Sequence, residues 1–237
     1  MLRLHDDRAA EPLTLAGPGT LRIRVHDPVG LAGLRPLLLA DLVRRSAERR
    51  RIRALVFCDD PGEELRTAAL TVNIPPPAPW DGAAGPRIDL HITGPGADCD
   101  GEGRWIRCGE LRAAIASPAE LTAAGLDPLA VRLALLAHGH RPPVDLTDEA
   151  LRDAAAELAR WRRRVAEWAE SPSHPIDQGH AERIQRALDD DLDTAAALRL
   201  LRELEHDESV PPGSRFETFI HFDRVLGLDL PAEIGKI

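Results

Sequence analysis

Four side chains in the first half of the chain are of types that bind zinc: His26, His91, Cys99 and Cys108. Their spacing matches no zinc signature, and two cysteines nine apart in a loop read as free thiols. The preferred reading assigns no metal and keeps these four as the residues a replacement zinc site would draw on. Asp59, Asp60 and Glu63 follow an apolar run with strand character, at the carboxyl edge where open α/β sheets bind ligands. There they could contact an amine or a ribose, or form a solvated turn. Asp189-Asp190-Asp191 could suggest a cation, but reads better as a junction whose acids cap the next helix through Asp193 and Thr194. His138-Gly139-His140-Arg141 reads as packing at a helix end. Gly94-Pro95-Gly96 is a turn, because no helix N-terminus follows it to cradle a phosphate. The nine histidines include no pair three apart, and Lys236 is the only lysine in 237 residues.

The elements that must position these groups follow from periodicity. Leu21–Val25 alternates apolar residues with arginine, a strand. Leu34–Arg50 is helical, with Leu38, Leu42 and Val43 on one stripe, and Ile52–Phe57 is a second strand. Strand, helix and strand in so short a span predict a βαβ unit and a parallel sheet. Pro75–Gly103 is rich in Pro and Gly and reads as mostly loop, interrupted by a third strand at Arg87–Ile92. From Leu126 onward the pattern is helical: Leu151, Ala154, Leu158, Trp161, Val165 and Trp168 form one apolar seam. Thr147 is the expected N-cap of that helix, with Asp148 and Glu149 in its first turn. Ser214 and Glu217 form a capping box opening a last helix, which Gly227 should stop.

Composition sets outer bounds. Residues 1–125 carry 17 acidic and 16 basic residues, whereas residues 126–237 carry 22 and 14. An acidic helical half is poorly suited to nucleic acid, whose binding rests on phosphate neutralisation. The basic runs Arg44–Arg53 and Arg160–Arg164 read as solvated helix faces. No apolar run reaches the ~20 residues of a membrane span, and MLRLHDDR is not a signal peptide. Three cysteines without framework spacing suggest free thiols in a reducing cytoplasm.

DPLAVRLALLAHGHR (Asp127–Arg141) and LDDDLDTAAALRLL (Leu188–Leu201) resemble the helical region of cysteinyl-tRNA synthetases and mycothiol cysteine ligases. Further landmarks lie along the same template. LRLHDDRAAEPL resembles the family's opening segment. The helix ending Asp41-Leu42-Val43-Arg44-Arg45 resembles the one ending FDVLRR, and counting back from Asp41 places Arg35 on the arginine that follows the HIGH motif. Gly30-Leu31-Ala32-Gly33 then stands where HIGH would be. Leu70–Pro77 resembles "LnvlpPd", Arg87–His91 resembles "lDIH", Asp98 fits the Asp of "GGxDL", and Trp105–Leu111 resembles "YWMHNGFL". The family's KMSKS, GWHIECS and PHHENE segments find no counterpart in this sequence. Where the family has its first zinc cysteine, this chain has His26. The chain stops after Asp223–Leu228, where the mycothiol ligases also stop and where the longer synthetases continue into an anticodon-binding region.

The resemblance implies an α/β plus all-α fold: a reduced Rossmann-like parallel sheet over residues 1–125, then an antiparallel helical bundle over residues 126–237. It implies a class I ligase-like chain whose triphosphate and zinc machinery is reduced, because preorganised donors of the HIGH and KMSKS kind usually supply the largest catalytic contribution. The expectation is a paralogue inactive in amino-acid activation that acts as a binding, regulatory or partner protein. Its candidate ligand-binding residues are His26, Asp27, Gly30, Gly33, Arg35, Asp59, Asp60, His91, Asp98 and Trp105, and no residue is assigned as catalytic. No cofactor is expected, nor tRNA or membrane as partner. The alternative is an ATP-dependent amino-acid ligase with a rebuilt site in which Arg35, Arg104 or Arg107 takes over phosphate contacts. ATP or zinc would be required only there.

Overall fold

A computed structural model describes residues 1–15, 18–82, 87–97, 101–113, 118–123 and 125–236. The chain opens with a ribbon, β1 (Leu2–Leu4) antiparallel to β2 (Leu13–Leu15). Next come β3 (Gly19–Val25), α1 (Leu34–Glu48) and β4 (Ile52–Cys58), the expected βαβ unit with ends shifted by one or two residues. All seven residues of β3 pair with β4 in parallel, from Gly19 opposite Ile52 to Val25 opposite Cys58. After α2 (Gly62–Thr71), β5 (Ala78–Pro79), β6 (Leu90–Thr93) and β7 (Arg104–Arg107) complete one parallel sheet ordered β5-β4-β3-β6-β7. The order reverses direction between β3 and β6, and a crevice at the carboxyl ends of such a pair is where ligands of open sheets bind.

Alternation on β3 explains its burial. Leu21, Ile23 and Val25 are buried in the core that α1 covers, while Arg22 and Arg24 lie on the other face. Parallel register carries that second face sideways, so Phe57, Arg24, His91 and Trp105 form one row across four strands.

The second half begins with α3 (Pro118–Ala123) and α4 (Leu129–Leu136), whose eight residues are all buried. β8 (Leu111–Ala113) pairs in parallel with β9 (Val144–Leu146). Four helices follow: α5 (Asp148–Ala169), α6 (Gln178–Asp189), α7 (Thr194–His206) and α8 (Pro212–Leu226). The seam on α5 is buried at every expected position. Thr147 caps it by accepting from the Ala150 N–H at 3.2 Å, and Asp193 caps α7 by accepting from Ala196 N–H at 2.8 Å. Gly227 ends α8 at φ +66°, as a left-handed C-cap should.

Buried chemistry crosses residue 125. Arg132 of α4 is 0% exposed; its guanidinium donates to Asp41 Oδ2 at 2.7 Å and to the carbonyls of Val72 and Asn73 at 3.1 Å each, and also to that of Leu226. Burial pushes the Asp41 carboxyl up, but the charges of Arg132 and Arg45 and hydrogen bonds from Arg132 and Arg44 outweigh it, holding the group below the usual carboxylate range. The acidic run is likewise structural. Asp190 pairs with Arg3, and Asp191 accepts from His5 N–H at 2.8 Å and Arg141 Nε at 2.9 Å. These contacts fasten the β1 ribbon to the α6–α7 junction. On its other side the ribbon is tied to β7, where Asp7 N–H donates to the Trp105 carbonyl at 2.8 Å.

Two expectations are corrected. The last helix does not start on a Ser214 capping box. It starts at Pro212 behind Pro211, so Ser214 already lies inside the first turn and its carbonyl accepts from Thr218 Oγ1 at 2.7 Å. Proline at the first helical position is preorganised for the helix and lacks the N–H that would need a cap. The third strand runs Leu90–Thr93 instead of Arg87–Ile92; just ahead of it Asp89 donates its N–H to the Arg22 carbonyl at 3.0 Å and accepts Arg22 N–H on its side chain at 2.8 Å, so regular pairing starts only at Leu90. The stretch read as mostly loop is mostly loop over its described residues, with the two-residue β5 added to the expected strand.

Candidate functional site

Because β6 lies beside β3, two histidines 65 positions apart meet at the carboxyl edge. His26 immediately follows β3 and donates its backbone N–H to the Ile92 carbonyl at 2.9 Å. Its Nε2 lies 2.8 Å from His91 Nδ1, and His91 Nε2 lies 2.9 Å from the Glu102 carbonyl. A carbonyl only accepts, so His91 Nε2 carries the proton. Neutral His91 then has a bare Nδ1, which accepts from His26 Nε2–H. That polarity leaves His26 Nδ1 as a bare lone pair.

Trp105 forms the floor. Its ring stacks on His91 at 4.2 Å and 8°, and on His26 at 4.8 Å and 26°. It is 2% exposed and its Nε1–H has no hydrogen-bond partner among the described residues. Gly103 is required beside it: with φ +110°, a Cβ there would sit 2.9 Å from the Ile88 carbonyl oxygen and 3.0 Å from the His91 ring.

Electrostatics keep the pair uncharged. Burial, the Arg24 guanidinium and the neighbouring His91 lower His26 to about 4, although Asp59 and Asp27 pull it upward. Burial lowers His91 too, opposed by its bond to Glu102. Both imidazoles are therefore neutral at pH 7, offering a hydrogen-bond acceptor and no positive charge. Arg24 reaches both oxygens of Asp59 at 3.1 Å and lies 4.6 Å over the Trp80 ring.

The structure thus brings together His26, His91 and Trp105, with Asp27 and Asp59 close enough to act on His26. Asp27 holds φ +39°, an uncommon conformation for a residue with a side chain. Asp60 closes the turn into α2, accepting from Gly62 N–H at 3.0 Å and from Arg66 at 2.9 Å. Gly30, at φ +56°, has open space where a Cβ would be. Gly33 is tightly packed, since a Cβ would meet Leu65 at 2.6 Å and the Pro28 carbonyl carbon at 2.9 Å. Arg35 is 4% exposed and donates to the carbonyls of Glu110, Gly139 and Pro142 at 2.9, 2.7 and 2.5 Å. Asp98 and Cys99 lie outside the described residues. Cys108 is buried, its thiol pushed up to about 12 by burial.

Zinc fits this donor set poorly. Three of the four ring nitrogens of the histidine pair are engaged, and no cluster of three or more metal-ligating side chains exists among the described residues. Reading the sequence alone missed Arg24, Trp80, Gly103 and the Glu102 carbonyl. Only Arg24 left a signal, as a charged residue in the alternating pattern of β3.

No family model matches the chain. Curated proteins named L-cysteine:1D-myo-inositol 2-amino-2-deoxy-alpha-D-glucopyranoside ligase do match part of it. The Thermobifida fusca protein is 39% identical over 114 residues, 48% of this chain and 25% of that protein. The Streptomyces coelicolor protein is 44% identical over 79 residues, 33% and 18% respectively. The Streptomyces scabiei protein is 46% identical over 74 residues, 31% and 17%. The chain thus matches a quarter or less of the length of these relatives, and over that stretch it is similar to ligases of this name.

Proposed function

We propose that the chain is a ligase relative that binds a small, donor-bearing ligand at the carboxyl edge of its sheet and does not form an adenylate. The observation that carries this reading is that the positive charge near the edge is already committed. Arg24 is held by Asp59, Arg35 by three carbonyls, and Arg104 by Asp6 and the Glu11 carbonyl at 3.3 Å each. Arg107 donates to the Ala97 carbonyl at 3.1 Å. The neutral histidine pair adds no charge that could stabilise a transferring phosphoryl group. His26 Nδ1, with Asp27 and Asp59 nearby, instead suits an ammonium or N–H group, and the chain acts as a binding, regulatory or partner protein.

The ligase names of the relatives favour a second reading, an ATP-dependent amino-acid ligase whose arginines are released to bind phosphate. Labelled pyrophosphate with ATP and cysteine separates the two. The first reading expects no ATP–pyrophosphate exchange above background, and robust exchange would overturn it. Co-stabilisation by ATP and cysteine in a thermal-shift titration would support the second.

A further inference from the structure

Helices α6 and α8 enclose a groove of about 550 Å3, lined by the apolar Ile176, Ala181 and Phe222 and by Glu182, Arg186 and His221. Arg49, at the C-terminal end of α1, packs against two of these residues. Its guanidinium donates to the His221 carbonyl at 3.3 Å and to His221 Nε2, and lies 5.6 Å over the Phe222 ring. It is half-buried and forms no ion pair among the described residues. Asp189, the acid that acts on it, is already taken by Arg50 and by Gln185 Nε2 at 3.0 Å. Burial and the charges of Arg50 and Arg224 lower the Arg49 guanidinium from its usual range.

Two more cations flank the same groove. Arg224 stands three residues after His221 on one side of α8, and Arg186 lies in the last turn of α6. Both are exposed and without an ion pair among the described residues. A lone arginine in a last helical turn is ordinary. Three around one groove, with Glu182 as the one carboxylate in its lining, leave positive charge unmatched. His221 adds a donor without adding charge. Arginine has no acceptor, so His221 Nε2 accepts from Arg49 and the proton of the neutral ring sits on Nδ1. That Nδ1–H has no partner among the described residues.

We propose that the groove between α6 and α8 binds a small organic phosphate monoester. Its phosphate accepts from His221 Nδ1–H and from the guanidinium groups of Arg186 and Arg224, in the field of Arg49. Its organic group lies on Ile176, Ala181 and Phe222. A monoester carries close to two negative charges at pH 7, which answers three cations set against one carboxylate. The volume is that of a small-molecule site. No residue is shared with the histidine pair at the sheet edge, so this site stands whatever that edge binds.

The test titrates the whole chain calorimetrically with phenyl phosphate, and with inorganic phosphate, phenyl sulfate and a single-stranded oligonucleotide for comparison. Phenyl phosphate is expected to bind and to shift amide resonances of α6 and α8. Inorganic phosphate lacks the ring that covers the apolar lining and should bind at least ~10-fold more weakly. Phenyl sulfate keeps the shape with a single charge and should be weaker by a similar factor. The exposed double substitution Arg186→Gln with Arg224→Gln should weaken phenyl phosphate about tenfold while leaving the thermal midpoint in place. Arg49→Gln should weaken it independently. Equal binding of phenyl sulfate or inorganic phosphate, tighter binding of the oligonucleotide, resonance shifts confined to other elements, or no loss in the arginine double variant would each overturn the proposal.

Discussion

Replacing Arg132 with methionine tests whether one buried guanidinium joins the sheet to the helices. Methionine keeps the apolar stem and loses every donor. Asp41 retains Arg44 at 2.6 Å and Arg45 at 2.8 Å, so no carboxylate is stranded. The loss falls on the carbonyls of Val72, Asn73 and Leu226, at about 1 kcal/mol each, giving a destabilisation of about 3 kcal/mol. That is a large share of the 5–15 kcal/mol typical of a folded domain. Asp41→Asn should cost more, about 4 kcal/mol, because it leaves a buried cation facing a neutral amide. Urea unfolding followed by tryptophan fluorescence and by circular dichroism measures both. Wild type should unfold in one transition; Arg132→Met should shift the midpoint down and separate the two probes, since the lost carbonyl contacts reach both α2 and α8. Gly227→Ala supplies an internal check: its Cβ would lie 2.9–3.1 Å from the Arg132 guanidinium at φ +66°. Its cost should shrink in the Arg132→Met background. A loss below ~1 kcal/mol for Arg132→Met would refute this account.

Other expectations are independent of that bolt. His26, His140 and His221 are each lowered from 6.5 to about 4, mainly by burial. The unfolded chain therefore binds more protons between those values, so stability is full above pH 6.5 and falls as pH drops toward 4. The slope is up to ~1.4 kcal/mol per pH unit for each histidine, less for the half-exposed His26 and His221; a urea midpoint unchanged between pH 7.5 and 5 would contradict this. Cys58 and Cys108, raised to about 11 and about 12 by burial, should resist iodoacetamide at pH 8 until the chain is unfolded, as read by mass spectrometry. Thr147→Ala should cost about 1 kcal/mol in urea titration, whereas Glu217→Ala should cost nearly nothing, since α8 begins on proline without a capping box.

What was legible in the sequence was periodic. The α5 seam and the β3–α1–β4 unit follow from apolar spacing, and local caps such as Thr147 and Gly227 follow from side-chain chemistry a few residues away. The helix α2 carries Glu63 and Glu64 in its first turn and buries Leu65, Ala68 and Ala69, a stripe too short to stand out beside the proline-rich segment after it. The site was only half legible. His26 and His91 stand out by residue type, but their contact depends on β6 joining β3 instead of extending the sheet beyond β5, a choice set by the whole sheet. Arg35 shows the opposite case. Its place after Gly33 suggests a ligand contact, and only the fold reveals that carbonyls from two distant loops consume it.

The β1 ribbon is stitched on one side to β7 and on the other to Asp190 and Asp191. A lone two-stranded ribbon is marginal in water, and its second anchor lies 187 residues further along the chain, from Arg3 to Asp190, so this piece waits for that anchor during synthesis. Synthesis order and docking order are therefore inverted for it. The α6–α7 hairpin acts as a latch that closes behind the sheet, and a chain stalled before that hairpin should leave its opening segment open to proteases while β3 and β4 are already protected.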